Sequence, residues 1–177
     1  MSPFQRINYS DKKEFYRELA TEIEGMLVKT WFTNLANLSA ALMAHLPDIN
    51  WVGFYLSSGS ELHLGPFQGL PACLTIPLGK GVCGTAALER RTMLIENVDQ
   101  FPGHIACDTR SRSELVIPLV LPNTGLTTPP DTASGRLLGV LDIDSPTLKR
   151  FCEKDRIGLE SLLGPLLTKS HWPSKFI

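Results

Sequence analysis

Between Pro47 and Trp51 the apolar residues change period, and this constrains the fold more than any other stretch of the chain. Before it, Phe15, Leu19, Ile23, Met26 and Leu27, and then Leu35, Leu38, Leu42 and Leu46, recur at three and four, the signature of two amphipathic helices. Ser10 is placed to cap the first, with Asp11 and Glu14 at the positive end of its dipole; the second starts near Trp31 and stops at Pro47, which cannot continue a helix. After it, Trp51, Gly53 and Tyr55 alternate with Val52, Phe54 and Leu56, so a strand begins. Both helices are expected to cover one face of its sheet.

The rest of the chain reads as short strands. Ser57 to Ser60 is a turn and Glu61 to Leu64 a hairpin partner, followed by a Gly65-Pro66-Phe67-Gln68-Gly69 loop. Ala72 to Ile76 is a third strand, with Cys73 in it. Val82 to Arg90 reads as a short helix, Thr92 to Ile95 as a brief strand, and 99–112 as irregular. Two apolar strands, Ser113 to Val120 and Leu137 to Ser145, flank a surface loop of Pro, Gly, Thr and Ser. A last helix starts near Glu153, with Ile157, Leu159, Leu162 and Leu166 as its apolar positions. About six hairpin-connected strands between N- and C-terminal helices predict an α+β fold on a central antiparallel sheet, as one domain over residues 1–177.

Composition narrows the function. With 43% hydrophobic residues, 20% charged residues and a formal charge of −1, the chain has no basic excess to neutralise nucleic-acid phosphates, and small ligands are the expected partners. No stretch approaches the ~20 apolar residues of a membrane span and the N-terminus carries no signal-type run, so a cytoplasmic location is expected. A chain of this size folds without staples, which turns its four cysteines toward redox chemistry, metal binding or packing.

Three of the four, Cys73, Cys83 and Cys107, fall between residues 72 and 108, beside glycine-rich turns and a histidine loop. His104, Arg110 and Arg112 surround Cys107 in sequence, and each would lower its pKa if it pointed inward. Cys152 stands apart and is assigned a structural role. Asp142 and Asp144 share a face of an otherwise apolar strand, opposite Leu141 and Ile143, and Glu114 opens the preceding strand. Clustered carboxylates repel one another, which leaves at least one protonated near neutrality. Trp51 and Tyr55, four apart on one strand, offer an aromatic wall.

Six segments in order resemble the free methionine-R-sulfoxide reductases of the GAF-domain type. They are residues Ile49 to Leu56, Gly65 to Gly69, Ile76 to Ala86, Gly103 to Asp108, Ser113 to Leu119 and Gly139 to Ser145, within a match over roughly residues 10–168. The resemblance implies a GAF fold and reduction of free methionine R-sulfoxide, with thioredoxin as external reductant and no resident cofactor. It implies that Cys107 attacks, that Cys73 is the main resolving cysteine and that Cys83 is an accessory resolver. It places Glu114, Asp142 and Asp144 at the site without deciding which is the acid, and Trp51 and Tyr55 as substrate walls. The loop from Asn123 to Arg136 is longer than that pattern needs.

Chemistry supports these residue types. Thiolate attack on a sulfoxide sulfur, with protons delivered to its oxygen, ends in methionine and a cysteine sulfenic acid, which condenses with a second thiol. Carboxylates can also bind the α-ammonium of a free amino acid, and the backbone amides of Leu78 to Val82, at a helix start, its carboxylate. Two rivals remain. One is a non-catalytic GAF sensor of small ligands; the other is a zinc site of Cys73, Cys83, His104 and Cys107, whose spacing lacks the paired knuckle of such sites. The oligomeric state is left open, with a homodimer among the partners considered.

Overall fold

A computed structural model of the protein describes residues 7–105, 107–122 and 135–176. Its elements are α1 (Lys12–Met26), α2 (Trp31–His45), β1 (Trp51–Ser58), β2 (Glu61–Gln68), β3 (Thr75–Pro77), α3 (Gly81–Glu89), β4 (Met93–Ile95), β5 (Ser113–Leu121), β6 (Arg136–Ser145) and α4 (Glu153–Lys169). The six strands form one sheet in the order β3-β2-β1-β6-β5-β4, and every pair is antiparallel. The α+β expectation is met.

The sheet separates two cores. Val52, Phe54 and Leu56 of β1, Leu115, Ile117 and Leu119 of β5, and Leu141 and Ile143 of β6 pack under α1, α2 and α4. The alternate residues Trp51, Tyr55, Val116 and Val140 face the other way, where α3 and the connecting loops cover them together with Cys83. Both faces of the central strands are therefore apolar, apart from the carboxylates near one end.

Several local expectations are corrected. Asp11, not Ser10, caps α1: its carboxylate accepts from the amides of Lys13 and Glu14 at 3.0 and 3.3 Å. β2 runs on through Gly65 and Pro66 to Gln68, where a loop was expected, because the β1–β2 register shifts between Gly53 and Tyr55 and accommodates them as a bulge. β3 is only Thr75–Pro77, so Cys73 lies in the loop before it. Ile157 is 54% exposed, since the buried face of α4 is formed by Asp155, Gly158, Leu159, Leu162, Leu163 and Leu166. Cys152 is exposed and serves as the N-cap of α4, accepting from the Asp155 amide while Asp155 accepts from its own. The expected loop after Pro122 lies almost entirely outside the described residues.

Candidate active site

Register assembles the acids. Glu114 of β5 lies opposite Asp144 of β6, and Val116 opposite Asp142, while Trp51 and Gly53 of β1 lie opposite Asp144 and Asp142. Glu114, Asp142 and Asp144 therefore form one patch on the face away from α1, α2 and α4. α3 roofs it. Gly84 is required there: a Cβ at this position would stand 2.3 Å from the Pro77 carbonyl oxygen, so only glycine lets α3 close onto β3. That close approach lowers Cys83 onto the patch, with its Sγ 3.8 Å from Glu114 Oε1.

Burial dominates the electrostatics. It pushes Glu114 well above the usual carboxylate range, helped by the charges of Asp142 and Asp144, and it raises Asp144 in the same way. Asp142 rises to about 7, again through burial, with hydrogen bonds from Cys83 and Glu114 holding it back. Its Oδ1 is buried with no hydrogen-bond partner. Burial and the same acids push the Cys83 thiol well up, so it is protonated at neutral pH. His104 Nε2 comes within 3.8 Å of Glu114 Oε2, yet burial lowers the imidazole and protonates the acid, so this is a contact of neutral groups rather than an ion pair.

Cys73 and Cys107 are joined by a disulfide, with Cα atoms 5.4 Å apart, and Cys83 and Cys152 are free. Beside Cys107 is a cavity of about 30 Å³, lined also by Cys83, His104, Glu114, Asp142 and Asp144 among others, with room for little more than a water or two. The arginines expected to activate Cys107 are engaged elsewhere. Arg110 grips Asp108 at 2.7 Å and holds its carboxyl well below the usual range, and Arg112 lies 3.5 Å from Asp99. His104 alone of the three lines the cavity.

Trp51 and Tyr55 are placed differently from the expected wall. They stack with ring centres 5.9 Å apart, Trp51 also stacks on Phe67, and neither lines the cavity. Instead the indole N–H donates to Leu70 O and the Tyr55 hydroxyl to Cys73 O, both at 3.1 Å, so the segment bearing Cys73 lies on the stack. The backbone anion site also narrows. The amides of Leu78, Gly79 and Lys80 already donate to Ser60, Gly84 and Pro77, which leaves those of Gly81, Val82 and Cys83 in the first turn of α3, all on the cavity wall.

Asn50 and Ser111 were not singled out from sequence. The Asn50 amide donates to Asp108 Oδ2 and Ser111 Oγ at 2.9 and 3.0 Å, and Ser111 is a hydrogen-bond partner of Asp144, so together they anchor the loop after Cys107 to the sheet. The available signal was polarity: Asn50 is the polar residue immediately before the apolar run Trp51 to Leu56.

Comparison with known proteins agrees with this architecture. The GAF domain family matches residues 33–163. The chain is 44% identical over 158 residues to free methionine-R-sulfoxide reductase of Escherichia coli (strain K12), covering 88% of each chain. Among solved structures, free methionine-R-sulfoxide reductase from Neisseria meningitidis in complex with its substrate is 40% identical, with a TM-score of 0.81 over 96% of this chain and 95% of that one. The reduced form of fRMsr of Staphylococcus aureus is 42% identical, with a TM-score of 0.76 over 94% and 99%.

Proposed function

This chain is a member of the free methionine-R-sulfoxide reductase family of GAF-domain proteins, and from that premise we propose a thiol cycle in which Cys107 attacks the sulfur of the free amino acid's R-sulfoxide. The observation that carries the proposal is the Cys73–Cys107 bridge, whose Cys107 lines one cavity with three acids, Glu114 and Asp142 buried and Asp144 half-buried. The Cys107 thiolate bonds to the substrate sulfur as one proton is delivered to the sulfoxide oxygen; that oxygen then passes to the Cys107 sulfur as the S–S and S–O bonds both break, leaving Cys107 as a sulfenic acid and releasing methionine, reduced by two electrons at the thiol's expense. Cys73 then condenses with that sulfenic acid, releasing water and forming the disulfide. An external dithiol such as thioredoxin takes the bridge apart, so no resident cofactor is required.

Each neighbour has a task in this scheme. Glu114 and Asp144, held protonated by burial, supply protons to the oxygen. Asp142, with its unpartnered Oδ1, receives the substrate ammonium, an anchor that methionine inside a peptide lacks. The free amides of Gly81, Val82 and Cys83 hold the substrate carboxylate. With the bridge open, the Cys73 segment is held on the aromatic stack only by the hydrogen bonds from Trp51 and Tyr55, and its displacement by substrate exposes the rings to the S-methyl group. Cys83 lies against the acids from the α3 side as a protonated thiol, which suits an accessory role better than that of the attacking nucleophile.

The test is an assay of each methionine sulfoxide epimer, free and in a peptide, with a dithiol present. Wild type consumes the free R epimer, and Cys107→Ser does not. Turnover by Cys107→Ser would remove the mechanism, whereas stoichiometric binding with no loss of sulfoxide by wild type would favour a sensor.

A further inference from the structure

We propose that the cavity floor is also a binding site for a thiophilic divalent cation, Zn²⁺ foremost, held by Cys83, Glu114 and Asp142. One ligand atom from each of the three lies within 4.8 Å of the others. One edge of that triangle, Cys83 Sγ to Glu114 Oε1 at 3.8 Å, is close to the roughly 3.5 Å that separates a sulfur and an oxygen bound tetrahedrally to one zinc. The donors come from α3, β5 and β6, whose packing fixes them independently of any ion.

A separate observation points to a missing partner. Asp142 is only 6% exposed, and its Oδ1 has no hydrogen-bond partner. A buried carboxylate oxygen in that condition is costly unless something fills its place. Among the described residues no lysine or arginine does: none lines the cavity, and Arg110 and Arg112 are paired with Asp108 and Asp99. The cavity of about 30 Å³ admits an ion with one water as its fourth ligand, the arrangement of an open three-ligand zinc site.

The donor set selects the metal. One thiolate with two carboxylates favours Zn²⁺ over Mg²⁺ or Ca²⁺, which prefer oxygen alone and more of it, and ligation displaces the thiol proton. This site differs from the zinc set considered from sequence, because Cys73 and Cys107 are consumed in the disulfide while Cys83 stays free. The disulfide form is thus competent to bind. That the ion would act as an antagonist, by occupying the ammonium position, rests on the functional reading above; the binding itself does not.

Cobalt(II) titrated into the disulfide form tests the site without any turnover. Wild type and Cys152→Ser bind one cobalt per chain with a thiolate-to-metal charge-transfer band in the near ultraviolet, and Zn²⁺ displaces it. Cys83→Ser loses the band, and Asp142→Asn, which keeps the thiol, weakens binding by more than about tenfold. Absence of the band in folded wild type, its survival in Cys83→Ser, or unchanged affinity in Asp142→Asn would overturn the proposal.

Discussion

The Tyr55 hydroxyl donates to the backbone carbonyl of Cys73 at 3.1 Å, so an aromatic side chain of the central strand holds the segment that carries one half of the disulfide. A hydrogen bond of this kind contributes about 1 kcal/mol net, or roughly fivefold in an equilibrium. Tyr55→Phe should therefore lower the local concentration of Cys73 at Cys107 by about fivefold. Equilibration with glutathione buffers, read by alkylation and mass spectrometry, should show the bridge opening at a less reducing ratio. An unchanged midpoint would mean that the contact does not position the loop.

In the proposed cycle the three acids should separate kinetically. Glu114→Gln removes a proton donor and is expected to lower kcat by about a hundredfold or more, with a smaller change in KM. Asp142→Asn removes the ammonium partner and should act mainly on KM. Asp144→Asn removes the second proton donor of that cycle and should lower kcat while retaining affinity. Steady-state kinetics on the free R-sulfoxide decides this, and normal constants in all three variants would remove the acids from the site.

Stability should fall as pH rises through neutrality. Asp142 titrates near 3.8 when unfolded and at about 7 when folded, so the folded state binds the extra proton between those values. Its contribution to stability is fully present below about pH 4 and is lost as pH approaches and passes 7, with a slope of up to about 1.4 kcal/mol per pH unit for each such proton. Glu114 and Asp144 act in the same direction. Asp108 is depressed, chiefly by its bonds to Arg110, and Asp155, where hydrogen bonds from Lys12, Tyr9 and Cys152 outweigh burial, is depressed too. Those two act oppositely, losing stability as pH falls below about 4, which a series from pH 5 to 8 avoids. Urea unfolding of the disulfide form should show a flatter profile in Asp142→Asn than in wild type.

Gly84→Ala should disturb the roof of the site. The new methyl would meet the Pro77 carbonyl at 2.3 Å, and backbone on backbone cannot yield as a side chain does. A loss of about 1–3 kcal/mol is expected, with Cys83 becoming reactive to alkylating agents in the native state as α3 lifts. A protected Cys83 in a folded variant would contradict this account.

Much of the frame was legible because it follows from periodicity. The shift from three-and-four to two near Pro47 located α2 and β1, and the alternation around Leu141 and Ile143 placed Asp142 and Asp144 on one face. What escaped depended on contacts between distant residues. Nothing local marks Gly65 and Pro66 as a bulge, since it exists only in the pairing of β2 with β1. Ile157 fits a helical apolar pattern, yet the face that is buried is chosen by Gly158 meeting the Tyr16 ring across α1. The burial of Trp51 and Tyr55 under the Cys73 segment likewise follows from where a disulfide draws that segment.

Cys73 leads into β3 and Cys107 follows β4, the strands at opposite margins of the six-membered row. A single covalent link therefore joins segments hung from the two sides of the sheet. In the proposed cycle its opening by an external dithiol frees both segments at once, so recharging the thiols and loosening the rim for the amino acid become one event.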